Sequence, residues 1–91
     1  MTVIVEIPSQ LRIHCDGAPR LTLSAPNVRV ALEALERSHP TLHHNICDET
    51  GAVRRHINIF VNESHMRELG GLDTALKQGD ILTVLPAVSG G

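Results

Sequence analysis

The chain has 91 residues, a formal net charge of -2 and one aromatic residue, Phe60. That length holds one domain, and a domain of this size buries only about 60% of the surface its unfolded chain exposes, so a modest core must be built from Val, Ile, Leu and Ala. Acids and bases are interspersed and Lys77 is the single lysine, which excludes a cationic stripe for nucleic acid, and no apolar run reaches the ~20 residues that span a bilayer.

In chain order, Val3-Ile4-Val5-Glu6-Ile7 is β-branched, stops at Pro8, and predicts a strand with Val3, Val5 and Ile7 on one face. Its start has no basic stretch and no small-residue cleavage site, so no signal peptide is expected. A cytoplasmic location with free thiols at Cys15 and Cys47 follows as the expectation. Cys15-Asp16-Gly17-Ala18-Pro19 is turn material, and Arg20-Leu21-Thr22-Leu23-Ser24 alternates as a second strand. The two strands predict an opening hairpin with a long, irregular connection.

Asn27 is positioned to cap a helix. From Val28 to His39 the period changes: Val28, Ala31, Leu32 and Leu35 fall on one helical face and Arg29, Glu33, Glu36 and Arg37 on the other. Pro40 ends this helix. Residues 41–53 are polar and mixed and are expected to form a loop with at most a short helical turn. Ile57, Ile59 and Val61 then alternate with Asn58, Phe60 and Asn62, predicting a half-buried strand within residues 54–62. Turns and short extended structure are expected over residues 63–71, a helical turn over Leu72–Leu76, and a tight turn at Gln78-Gly79-Asp80. A last strand is expected over Ile81–Leu85, ended by Pro86. Strand, strand, helix, strand, strand is an α+β pattern, with one main helix across one face of a mixed, mostly antiparallel sheet. A parallel pairing of the first and last strands at its centre would send the tail away from the body.

The domain is expected to span residues 1–86, and residues 87–91 form a flexible tail, Ala87-Val88-Ser89-Gly90-Gly91. Two final glycines carry no Cβ, so the backbone can thread a narrow channel and be surrounded closely. A terminal carboxylate held out this way can attack the α-phosphate of ATP to become an acyl-adenylate, and a sulfur donor can displace AMP to leave a nucleophilic thiocarboxylate. The bland alternative is a frayed end.

Val61-Asn62, Leu72-Asp73-Thr74-Ala75-Leu76, Gly79-Asp80 and Pro86-Ala87-Val88-Ser89-Gly90-Gly91 resemble the ubiquitin-like sulfur carriers. That family includes the small subunit of molybdopterin synthase and the carriers of thiamine and cysteine synthesis. The resemblance covers most of the chain and implies a β-grasp fold. It implies that Gly91 is the site adenylated by an E1-like enzyme with ATP and magnesium, and that residues 86–90 thread partner active sites. Ile7-Pro8-Ser9-Gln10-Leu11-Arg12, residues 56–62 and Pro86-Ala87-Val88 are most similar to the cysteine-synthesis carrier. The implied partners are therefore a serine sulfhydrylase and a metallopeptidase that releases product from Gly91. A molybdopterin synthase large subunit, or lysines of protein targets, are the alternatives.

Strand parity puts Ile4, Phe60 and Leu85 on the sheet's outer face as an apolar patch, a candidate docking site for the activating enzyme. The reversed parity would make them core. The spacing of His43, His44 and Cys47, or of His14 and Cys15, matches no zinc pattern. No nucleophile-and-base set stands out, so no metal and no catalytic residue of the chain's own is expected.

Overall fold

In a computed structural model, residues 2–87 are described. Strand β1 (Thr2–Glu6) is followed by a 3-10 helix over Ser9–Cys15, then strand β2 (Arg20–Ser24). Helices α1 (Val28–Ser38) and α2 (Pro40–Ile46) lead to strand β3 (Ile57–Val61) and the short β4 (Ser64–His65). Single 3-10 turns over Met66–Glu68 and Gly71–Asp73 precede the last strand, β5 (Ile81–Pro86). The sheet order is β2-β1-β5-β3-β4. β1 and β5 pair in parallel at its centre, and the other neighbours pair antiparallel. This is the β-grasp arrangement, α+β with its helices on one face of a five-stranded sheet.

The core follows the strand parities. Val3, Val5 and Ile7 of the first segment, Ile57, Ile59 and Val61 of β3, and Leu82 and Val84 of β5 are all buried. They meet Val28, Ala31, Leu32 and Leu35 of α1. Asn27 caps α1 as its side chain accepts the Val30 N–H at 2.9 Å. Leu35 is only 1% exposed, so Leu35→Ala is expected to lower unfolding free energy by about 2–5 kcal/mol in a denaturant titration.

Three expectations are corrected. Within residues 41–53, expected as a loop with at most a short helical turn, residues 41–46 join Pro40 in α2: Pro40, which cannot continue α1, occupies the first turn of a new helix where its missing N–H is not needed. Leu42 and Ile46, one turn apart, are fully buried and hold α2 to the core. The long first connection is mostly the 3-10 helix Ser9–Cys15, ended by Asp16 in the left-handed region at φ 57°. The helical turn expected over Leu72–Leu76 closes earlier, over Gly71–Asp73. Beyond it the chain runs extended: Ala75 bridges Asn27, Val28 N–H donates to the Thr74 carbonyl at 3.1 Å, and Leu76 N–H donates to the Pro26 carbonyl at 2.9 Å.

Candidate functional site: the tail strand and the outer sheet face

What the sequence marks as functional depends on where β5 points, and two short motifs set its register. Asn62 ends β3 in the left-handed region at φ 55°, a conformation that asparagine tolerates better than most residues. Its Oδ1 accepts the Ile81 N–H at 3.0 Å and its Nδ2 donates to Asp80 Oδ1 at 3.1 Å. The other Asp80 carboxylate oxygen accepts the Lys77 backbone N–H at 2.8 Å. These hydrogen bonds, led by the one from the Lys77 backbone, hold the Asp80 carboxyl below its ordinary pKa. Gly79, at φ 85°, supplies the left-handed turn that a side chain would strain.

From this anchor β5 runs between β1 and β3. Pairing with β1 ends at Glu6↔Thr83, while pairing with β3 continues to Ile57↔Pro86. Proline is tolerated there because β5 has no partner on its other edge by that point. Ala87 N–H adds a bond to the His56 carbonyl at 2.5 Å. Pro86 is thus the last residue of β5 rather than the residue after it, and Ala87 is exposed beyond. Val88, Ser89, Gly90 and Gly91 lie outside the described residues.

Ile4, Phe60 and Leu85 share the outer face, and β5 lies between the strands that carry the other two. They are not equally open. Leu85 is 45% exposed, whereas Ile4 and Phe60 are half-buried. Phe60 is partly covered by His65, whose ring meets it edge-on with centroids 5.2 Å apart. His65 is held by Asn58 Oδ1 at 3.0 Å from its Nε2, and its Nδ1 accepts the Arg67 N–H at 3.1 Å. Ile81, the register partner of Ile4, belongs to the same apolar strip. The Ile81-Thr83-Leu85 alternation carries that signal.

Both cysteines are free and buried. Burial pushes the Cys47 thiol up to about 11 and raises Cys15 as well, so neither is a ready thiolate. Cys47, His43 and His44 line an open groove of about 530 Å³ between α1, α2 and the turn at residues 48–52. Among the described residues no three His, Cys, Asp or Glu side chains are grouped to hold a metal ion. No helix among the described residues is long and apolar enough to cross a membrane.

Residues 13–91 match the pattern that defines the ThiS family. The chain belongs to the ThiS family, the ubiquitin-like sulfur carriers. Sulfur carrier protein CysO of Mycobacterium tuberculosis is 37% identical over 93 residues, covering 100% of both chains. CysO in the BexX/CysO complex of Amycolatopsis orientalis superposes with a TM-score of 0.88 at 36% identity, over 98% of this chain and 99% of that one. Small archaeal modifier protein 1 of Methanosarcina acetivorans superposes with a TM-score of 0.87 at 34% identity, over 99% of this chain and 96% of that one. The Asn62 and Gly79-Asp80 contacts fix the register of β5, the last strand before residues 88–91.

Proposed function

We propose that this protein carries sulfur as a thiocarboxylate on Gly91. In the first step the Gly91 carboxylate oxygen attacks the α-phosphate of ATP in an E1-like enzyme that uses magnesium. A C–O–P linkage forms and pyrophosphate leaves. In the second a sulfur donor attacks the carbonyl, the C–O bond to AMP breaks, and a C–S bond replaces it. The chain supplies no catalytic group of its own; its partners do the chemistry.

The observation that carries this reading is the end-to-end match to a sulfur carrier protein, CysO. The same similarity favours cysteine synthesis as the destination, with a serine sulfhydrylase accepting the sulfur and a metallopeptidase freeing the product. A molybdopterin synthase large subunit is the alternative acceptor. Leu85, with the half-buried Ile4 and Phe60, forms the face on which the activating enzyme seats, while Pro86 to Gly90 thread its channel.

A second reading, a protein modifier joined to target lysines, is favoured by the 38% identity over 61 residues to small archaeal modifier protein 1 of Haloferax volcanii. Intact-mass analysis of the protein purified from its native host decides between them. One C-terminal oxygen replaced by sulfur is the expected result. A ladder of conjugates on other proteins, with no thiocarboxylate, would overturn the carrier reading in favour of the modifier.

A further inference from the structure

Beyond Thr83, β1 and β5 part company. β1 ends at Glu6, and the chain turns away through Pro8 into the 3-10 helix. The space left beside the exposed edge of β5 is a groove of about 230 Å³, lined by Glu6, Pro8, Arg12, Arg20 and Leu85 among others. Glu6 and Arg20 neutralise each other at 3.1 Å. Arg12 is left over: it is half-buried, and among the described residues it forms no ion pair. Its Nε donates to the Ile7 carbonyl at 2.9 Å, which fixes the plane of the guanidinium. No other hydrogen bond is made by the Arg12 side chain among the described residues, so its terminal N–H groups remain as an oriented fork.

A fork of this kind matches a carboxylate or a phosphate in two-point contact. Size favours one of the two sources. Small-molecule and cofactor sites run to about 300–1,000 Å³, and this groove is smaller, which suits one acidic side chain better than a whole nucleotide. Position identifies the bearer. The groove lies along the strand that delivers the tail, and Leu85 belongs both to it and to the outer apolar face. A protein that seats on that face to reach Gly91 comes to lie beside the groove.

We propose that Arg12 is a docking residue that receives an Asp or Glu side chain of the activating enzyme, clamping the root of the tail beside β5. The proposal deepens the reading of Gly91 as the activated terminus and rests on it only for the identity of the partner. Two carboxylates of the incoming group's sign bear on the site: Glu6, which lines the groove and is met by Arg20, and Asp16, which with Arg12 acts on the Cys15 thiol and forms no ion pair with the Arg12 fork.

The test measures binding of the full chain to its E1-like enzyme without ATP, and separately the enzyme's ATP–pyrophosphate exchange. Arg12→Gln keeps a donor for the Ile7 carbonyl and removes the charge. It is expected to weaken binding about tenfold or more and to flatten the salt dependence, because loss of a partly desolvated charge pair shows up in both. In exchange, KM for the carrier should rise while kcat and KM for ATP hold. Arg20→Gln, whose charge is already met by Glu6, should change binding far less. Equal loss in the two variants, or an unchanged Arg12→Gln at an unchanged melting temperature, would overturn the proposal. So would a change in KM for ATP, which would put a nucleotide phosphate on Arg12. If Arg12→Gln melts early, Arg12→Lys decides: full binding shows that a point charge suffices and sinks the fork, whereas weakened binding in a stable variant upholds it. A wild-type chain that binds and depends on Arg12 but supports no exchange would overturn the activation of Gly91 and leave the docking residue standing.

Discussion

The two ends of β5 are built in opposite ways. At its start the strand is braced on both sides. Gly79 N–H donates to the Thr2 carbonyl at 2.8 Å and Ile4 N–H to the Asp80 carbonyl at 3.0 Å, on the β1 side. On the β3 side Asn62 exchanges backbone and side-chain bonds with Asp80 and Ile81. At its finish the strand is held on one side only, by β3 and the His56 carbonyl, and the other side opens into the Arg12 groove. One end fixes register, and a one-residue slip there would turn every side chain of β5 to the wrong face. The free side at the other end leaves room for a second protein to approach the backbone. The bonds at the start set the register that the one-sided finish keeps.

The sharpest way to break this contrast is to act at its two extremes. Deleting Gly91 is expected to abolish ATP–pyrophosphate exchange, because it removes the carboxylate to be adenylated, while leaving the thermal melt unchanged. A lower melting temperature would mean that the exit is part of the fold after all. Asn62→Ala works at the braced end. It removes two side-chain hydrogen bonds and puts alanine at φ 55°, which together should cost about 2 kcal/mol in chemical denaturation. A cost near zero would show that β5 takes its register from core packing alone.

Leu85→Asp sharpens the comparison from the open end. Leu85 is 45% exposed and aspartate is disfavoured in strands, so folding stability should fall by about 1 kcal/mol, while KM of the activating enzyme for the carrier should rise about tenfold if the outer face seats it. Phe60→Ala is the less clean probe of the same face. By alternation alone, Phe60 reads as a surface residue whose loss would scarcely touch folding. Against His65 at 5.2 Å it is half-covered, and its truncation should lower the melting temperature as well.

How much of the molecule is legible in its sequence follows from the same distinction. Strict alternation exposes the faces of β1, β3 and β5, because period-two burial writes itself directly into the residue order. The 3.6-residue period does the same for Val28, Ala31, Leu32 and Leu35. α2 stays hidden because seven residues give only two core positions, Leu42 and Ile46, amid polar neighbours that also suit a loop. Arg12 stands out in the sequence only through the family resemblance. Its role depends on the carbonyl of Ile7, brought to it by a 3-10 helix with no apolar period to betray it. Ile81 is placed in the last strand by the sequence, but its share in the outer apolar strip needs the register, which sets it opposite Ile4. The Gly-Gly end is plain in the sequence, but the register of the strand before it requires the Asn62–Asp80 contacts, which join residues 18 apart.

The smallest effect expected is also the one that isolates the brace. The Asp80 carboxyl is held below its ordinary pKa chiefly by the hydrogen bond from the Lys77 backbone and then by the one from Asn62. In the unfolded chain it titrates near the reference value of about 3.9. A carboxyl depressed in the folded state binds fewer protons there than in the unfolded state, so its contribution is fully present above about pH 4 and drains away as pH falls through the lower folded value. Asp48, whose carboxylate accepts from the Thr50 hydroxyl at 2.6 Å and its N–H at 2.8 Å, is depressed in the same direction and adds to the same acid limb. Asp80→Asn should therefore flatten part of the loss of stability below about pH 4 and lower stability at neutral pH. Asp48→Asn should flatten another part without touching carrier activation, because it sits on the turn at residues 48–52 rather than under β5. If the two variants give the same activation profile with acid, the brace at Asp80 has no special hold on the strand that carries the tail. If only Asp80→Asn raises KM for the carrier, the anchored end is what aims the open one.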